Sequence, residues 1–292
     1  MKTTYRIIIL AVAIVALLAL WVLGLVTQAN IPNVNALASA VPGRTALMRE
    51  REQEAQREGK RFFIDQRWVP YDGISPMLRR AVLIAEDDAF YSHDGLDWNE
   101  IKSAARKNLE AGRIVRGGST ITQQLAKNLY LGASRTPARK IKEAIIAGRL
   151  EHALSKRRIF ELYLNLIEWG DGIFGAEAAA QRYFGVPASD LSARQAILLA
   201  AVIINPRRYS VLGTQKRIDR RVAIIAGRMR RRGYISEDDY LVAMGRPKPH
   251  PWWEFWAKPE TTAVDTTLPP EEPLETTEPE ESTAVAAPDT LQ

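Results

Sequence analysis

Three stretches of this chain combine residue types that can move a proton, seat a sugar and hold a phosphate. The first is Glu86-Asp87-Asp88-Ala89-Phe90-Tyr91-Ser92-His93-Asp94-Gly95, in which three consecutive acids close an apolar run. Acids at a helix C-terminus oppose the helix dipole, so their placement asks for a reason. A carboxyl at the edge of a buried surface loses hydration, which favours its protonated form and suits proton transfer. Glu86 stands nearest that surface and is the candidate acid–base group. A solvated acidic loop is the competing reading.

The second stretch is Gly117-Gly118-Ser119-Thr120-Ile121-Thr122-Gln123-Gln124-Leu125-Ala126-Lys127-Asn128. Two glycines before a Ser/Thr-led helix start expose backbone N–H groups, with hydroxyl and amide donors around them, and this suits an anion or a sugar. A plainly capped helix explains the same residues. The third is Arg135 followed by Arg139-Lys140-Ile141-Lys142-Glu143. Arg139 and Glu143 are four apart and share a helix face, so they form either an ordinary surface ion pair or a cationic clamp with a second carboxylate beside it.

Composition removes several other chemistries. With no Cys and only His93, His152 and His250, thiol nucleophiles, disulfides and Cys-ligated zinc are excluded and a His-rich metal site is not expected. The phosphate-loop pattern G-x-x-x-x-G-K-[ST] is absent, so nucleoside triphosphate binding is unsupported. Forty Lys and Arg stand against 34 Asp and Glu. Nine of those acids and none of the bases lie in 259–292, leaving residues 1–258 at +15. A body that basic expects a polyanion: nucleic acid, anionic lipid headgroups or a phosphorylated substrate.

The elements that must position these residues read as helices, with recurrent start and stop signals. Ser75-Pro76 opens one helix; Asp97 with Glu100 opens another, ending near Gly112; Ser119 or Thr120 starts a third, stopped at Gly132. Thr136-Pro137 and Ser155 start two more, the latter ended by Gly170-Asp171-Gly172. Ser192 with Gln195 begins an apolar helix that Asn205-Pro206 terminates, and further helices fit 214–232 and 237–244. The only plausible strand is 61–71. The domain over 61–245 is therefore expected to be mainly α.

The two ends differ from this body. Ile7 to Val26 carry no charge, and 20 residues at about 1.5 Å each reach roughly 30 Å, the thickness of a hydrocarbon core. Residues 7–26 are thus expected to be a transmembrane helix. Ala38-Ser39-Ala40 resembles a signal-peptide cleavage site but lies 12 or more residues beyond the apolar run, which favours a retained anchor. Lys2 and Arg6 precede the span and no base follows until Arg44, so residues 1–6 are placed in the cytoplasm and everything after 26 outside it. Residues 27–60 read as a juxtamembrane linker, with 48–60 a solvated helix or linker without chemistry. Over 246–292 a Trp-containing segment, PWWEFW at 251–256, precedes an acidic Pro/Thr/Glu-rich tail expected to be disordered. The aromatic cluster fits either headgroup depth or packing on the domain.

In order, E-D-x-x-F-x-x-H-x-G, G-S-T-I-T-Q-Q-x-x-K-N, R-K-x-x-E and R-I-x-E-x-Y-L-N (158–165) resemble the peptidoglycan glycosyltransferases, the lysozyme-like polymerases that build glycan strands from lipid-linked disaccharide. The resemblance covers about residues 65–210. A looser fifth segment is 191–211, where Asn205-Pro206 and Tyr209 fit and Ile203-Ile204 is less typical. No S-x-x-K or K-T-G is present, so the chain resembles the monofunctional form without a transpeptidase.

That resemblance implies a lysozyme-like helical domain behind one transmembrane helix, in the inner (plasma) membrane with its catalytic domain periplasmic. It implies Glu86 as the general base acting on the acceptor's GlcNAc 4-hydroxyl. Lys127, Arg135, Arg139 and Lys140 would surround the donor diphosphate. Glu143 would be the second essential carboxylate, acting through a divalent ion or by orienting the cations, with no cofactor required. Ser119, Gln123, Gln124 and Asn128 would bind sugar and phosphate oxygens, whereas Glu161 and Asn165 would orient the site helix and His93 would serve as a hydrogen-bonded turn residue. The implied partners are lipid II, the nascent glycan strand and the membrane, with penicillin-binding transpeptidases and proteins of the division or elongation machinery as candidates and no nucleic acid. A lysozyme-like hydrolase would also use paired carboxylates, but it needs neither the anchor nor four cations. A tethered scaffold without catalysis is opposed by the two intact acids.

Overall fold

The computed structural model describes residues 2–27, 32–113, 117–133, 136–213 and 215–246. The chain divides into two units, 1–249 and 250–292; the expected PWWEFW cluster and acidic tail lie outside the described residues, as does Arg135.

Helix α1 spans Lys2–Thr27 and contains the uncharged run. Its described apolar side chains are open on every side, from Trp21 at 48% exposed to Leu17 at 66%. Among the described residues no helix is long and apolar enough to cross a membrane; within α1 the side chains at 2–5, 8, 22, 23 and 25–27 are outside that description. The expectation of a span over 7–26 therefore rests on the sequence of α1.

The stretch expected as a linker is instead partly folded onto the domain. Val34 and Leu37 enter the main core, and Arg158 donates to the carbonyls of Leu37 and Ala40 at 2.8 and 2.7 Å. Helix α2, Ala46–Arg57, starts where the Thr45 hydroxyl accepts from Met48 N–H at 3.2 Å. Leu47 and Met48 are buried with Phe174 in a small second core, flanked by Phe62 and Ile64. Leu47 and Met48 are adjacent at the helix start, so the polar run that follows hides this apolar docking point. The strand expected over 61–71 shrinks to β1, Asp65–Gln66. Its partner strand is only two residues long, Ile173–Phe174, and further along the Val69 N–H and C=O are taken by the Asn165 side chain.

Helix α3, Pro76–Glu86, is capped by the Ser75 hydroxyl, which accepts from Met77 N–H. Its stripe Leu78, Ala81, Val82 and Ile84 is buried. Helix α4, Trp98–Glu110, is capped by Asp97. Helix α5, Ile121–Ala126, begins with a reciprocal cap between Thr120 and Gln123 and runs into one turn of π-helix, Lys127–Leu131, ended by Gly132 at φ +71°. Helices α6, Pro137–Ala153, and α7, Lys156–Leu166, start at Thr136 and Ser155 as their sequences predict. Beyond α7 the Gly170-Asp171-Gly172 stop is a hairpin: β2, Glu168–Gly170, pairs antiparallel with β3, Ile173–Phe174, and β3 pairs parallel with β1. Helix α8, Ala176–Phe184, has a run of small alanines that shows little periodicity and so was not anticipated. Helices α9, Ala193–Val202, α10, Lys216–Arg231, and α11, Glu237–Ala243, complete the fold.

The fold is thus mainly α. Helix α5 packs on α6 and α7, while α3 packs on α9 and α10; a bond from Gln124 to Glu86 links α5 to the end of α3. Phe90, Phe160 and Tyr163 are fully buried beneath them. Glu161 bonds Arg158. Asn165 accepts from Val69 N–H at 3.0 Å and donates to Val69 and Glu161 carbonyls at 2.9 Å, which ties the β1 segment to α7.

Candidate active site

The three consecutive acids have three different fates. Glu86, on the last turn of α3, points into a cleft with its side chain 13% exposed. Its Oε2 accepts from Gln124 Nε2 and its Oε1 from Arg221 Nη2, each at 3.0 Å. Asp87 turns the other way, is buried, and accepts from the Ile121 N–H at 2.9 Å at the start of α5. It also receives His93 Nε2 at 3.1 Å, while His93 Nδ1 accepts from Gly95 N–H at 3.2 Å. Those bonds assign the His93 proton to Nε2. Asp88 lies outside and is paired with Arg232. The unfavourable position at the end of α3 is therefore offset three ways: by Arg221, by the N-terminus of α5 and by Arg232.

Burial pushes the Glu86 carboxyl above the usual carboxylate range; Gln124, Arg221 and Lys127 hold it back. Gln124 is itself oriented, because the Tyr163 hydroxyl donates to its Oε1 at 3.0 Å. Tyr163 is fully buried, and burial together with the charges of Glu86 and Asp87 raises its phenol well above its ordinary value. It therefore remains a donor across the physiological range.

On the opposite wall, Glu143 of α6 has a side chain only 3% exposed. Arg139 Nη1 bonds its Oε2 at 2.5 Å and Lys140 bonds its Oε1. An exposed pair at this spacing contributes about 0.3–0.5 kcal/mol; a carboxylate this enclosed needs both cations, because a buried unpaired charge costs far more. The surface-pair reading thus fails on burial. Lys140 also donates to the Ser119 hydroxyl at 2.9 Å, which joins the second and third stretches. Lys127 faces the same space. Burial lowers its pKa, Glu143 pulls it up, Arg139 and Lys140 lower it, and Glu86 raises it.

Two adjoining clefts, about 600 and 450 Å³, share Glu86, Ser119, Ile204 and Arg221 on their walls. The smaller holds Lys127, Arg139, Lys140 and Glu143; the larger carries Asp97, Glu100 and Arg228. Glu86 stands at their junction. A separate groove of about 590 Å³ between residues 32–35 and α6 contains no carboxylate and none of the expected site residues.

Not every expected residue faces the clefts. Gln123 is buried, with Oε1 accepting from Thr120 N–H at 3.1 Å, and Asn128 is buried as well; neither lines either cleft. Helical spacing explains it: Gln124 and Lys127 share one face, and Gln123 and Asn128 flank it. The exposed backbone donors expected at the start of α5 are partly consumed internally, Ile121 N–H by Asp87 and Gln123 N–H by the Thr120 hydroxyl. Gly118 serves packing instead, since a Cβ there would meet Ile101 Cα at 3.3 Å, whereas Gly117 has open space beside it and lines both clefts.

Arg221 is the residue that the sequence reading missed. Its signal was present: Ile218, Val222, Ile225 and Met229 form the buried stripe of α10, and an Arg at the edge of such a stripe requires a partner.

Comparison with known proteins identifies the family. A transglycosylase family model matches residues 54–230, which include Glu86, Glu143 and Arg221. Proteins called biosynthetic peptidoglycan transglycosylase are similar to this chain: one from Laribacter hongkongensis is 52% identical over 188 residues, 64% of this chain and 82% of that protein. One from Chromobacterium violaceum is 46% identical over 228 residues, covering 78% and 96%, and one from Nitrosospira multiformis is 41% identical over 225 residues, covering 77% and 94%. By match and by site, the chain belongs to the transglycosylase family, as a glycosyltransferase of peptidoglycan synthesis.

Proposed function

We propose that the protein polymerises lipid II into β-1,4-linked glycan strands with release of polyprenyl diphosphate. The observation that carries this reading is the position of Glu86 at the junction of two clefts, one of which is lined by Lys127, Arg139 and Lys140. Ionised Glu86 takes the proton of the acceptor GlcNAc 4-hydroxyl as that oxygen attacks the anomeric carbon of the donor MurNAc. The bond to the diphosphate breaks on the opposite face, so the new link is β. Negative charge grows on the leaving diphosphate, where fixed cations act more strongly than on the bound ground state.

Glu143 acts by orienting those cations. Each of its oxygens is engaged by a cation, Arg139 or Lys140, and among the described residues no cluster of three His, Cys, Asp or Glu accompanies it. This donor set does not fit a resident divalent ion.

The anchor reading is supported by the open apolar side chains of α1 and by the packing of Val34 and Leu37. Cleavage after Ala40 would remove both core residues and both carbonyls that Arg158 bonds. A lipid-linked donor also requires the site to stay at a membrane surface. The catalytic domain is accordingly periplasmic, with residues 1–6 cytoplasmic, and the chain performs no transpeptidation. Partner transpeptidases and division or elongation proteins fit this setting. The full chain, incubated with lipid II in detergent or vesicles, is expected to give a ladder of glycan products on a gel. Absence of polymer, or transfer to water alone, would contradict the proposal.

A further inference from the structure

Helix α2 meets the cationic side of the site at the end of the π turn. Glu50 Oε2 accepts from the Ala133 N–H at 2.6 Å. Gly132 lies between, at φ +71°, and a Cβ there would overlap the Glu50 carboxylate. The carboxylate therefore rests directly against the backbone. Gly132 N–H donates to Lys127 C=O at 3.0 Å, closing the turn that carries Lys127.

Helix α2 is held firmly enough to act as a bracket. Arg51 donates to both oxygens of Glu168 at 3.0–3.2 Å, with side chains 14% and 6% exposed. Arg51 and Arg207 both reach Glu54, at 3.0 and 2.9 Å. Leu47 and Met48 are buried against Phe174. A π turn is rare and needs support from its surroundings, and here the support arrives from α2. A role limited to stability is disfavoured, because Ala133 is exposed and its N–H finds water once Glu50 is removed.

We propose that Glu50 is a positioning residue for the diphosphate side of the site: it fixes the end of the π turn, and with it the direction of Lys127. This rests on reading Lys127 and its neighbours as diphosphate contacts. The test compares the full chain with Glu50→Ala and Glu50→Gln, the latter keeping an oxygen that accepts. Four quantities are read: lipid II polymerisation, affinity for a phosphoglycolipid that imitates the donor strand, amide exchange at 131–133, and the Tm.

Displacements of ~1 Å far from the chemistry can cost on the order of 10²-fold. Glu50→Ala is expected to lower kcat about tenfold, weaken the phosphoglycolipid comparably, leave KM for lipid II within about twofold and speed exchange at 131–133. Its Tm should move by less than about 4 °C, and Glu50→Gln should retain most activity. Wild-type kcat and phosphoglycolipid affinity in Glu50→Ala, or equal impairment of both variants, would overturn the proposal. If the wild-type chain makes no polymer, the functional reading fails; unchanged exchange at 131–133 in Glu50→Ala overturns the positioning role separately.

Discussion

The Tyr163 hydroxyl donates to Gln124 Oε1 at 3.0 Å while Gln124 Nε2 donates to Glu86 Oε2 at 3.0 Å, so the two bonds together fix which end of the Gln124 amide faces Glu86. With Oε1 engaged, the amide N–H₂ is turned to the carboxylate. Tyr163→Phe keeps nearly all the buried volume and removes the donor. Gln124 then keeps its bond to Glu86 but loses the contact that holds its side chain in place, so polymerisation should fall on the order of tenfold. The lost bond itself costs about 1 kcal/mol of stability. Initial rates and thermal unfolding, measured together, separate the two effects; an unchanged rate would remove Tyr163 from the account.

The acid side of the pH profile tests the Glu86–Arg221 contact. A general base acts when ionised, and burial places the Glu86 pKa above its ordinary 4.5, so kcat/KM should rise with pH through a midpoint above that value. Arg221 favours the ionised form. In Arg221→Gln the carboxylate loses that support, its pKa climbs further, and the limb moves to higher pH. A limb that stays put, or moves down, would show that Arg221 does not tune Glu86.

Single substitutions among the cations distinguish a clamp from a solvated helix face. Surface charges rarely contribute more than about 1 kcal/mol, whereas loss of a contact that strengthens as the diphosphate leaves should cost on the order of 2–4 kcal/mol in activation free energy. Lys140→Ala and Arg135→Ala are expected to lose most polymerase activity and to bind phosphoglycolipid inhibitors more weakly. Arg139→Ala should in addition destabilise the fold, because it leaves enclosed Glu143 with Lys140 alone. Wild-type rates in folded Lys140→Ala and Arg135→Ala would place the diphosphate elsewhere.

Topology has its own check. A reporter fused after Gln292 should be active only if it works outside the cytoplasm, and the protein should fractionate with membranes at full length. Cytoplasmic reporter activity, or a mature form beginning after Ala40, would contradict the retained anchor.

Most of the helical framework was legible because its boundaries are written in local chemistry. Ser75, Asp97, Thr120, Thr136, Ser155 and Ser192 each cap the helix they announce. What escaped depends on contacts distant in sequence. The hairpin of β2 and β3 is held by β1, about 100 residues away, and α2 docks through Arg51 on Glu168, 117 residues on. At the site the same division holds. Glu86, Lys127, Arg139, Lys140 and Glu143 converge on shared cleft walls, while Gln123 and Asn128 turn inward, since residue type alone does not say which face of a helix meets substrate. Arg221 comes from 135 residues beyond Glu86, outside every motif that drew attention to the site.

The most direct measurement is the turnover of Glu86→Gln with lipid II as substrate. Glutamine keeps the shape of the side chain and can still accept from Arg221 through its oxygen, but it cannot take a proton from the acceptor hydroxyl. Polymerisation should fall by roughly the 10²–10⁴ typical of general-base loss, with lipid II still bound and the fold intact. Glycan chains produced at the wild-type rate by this variant would contradict the assignment of Glu86 as the base.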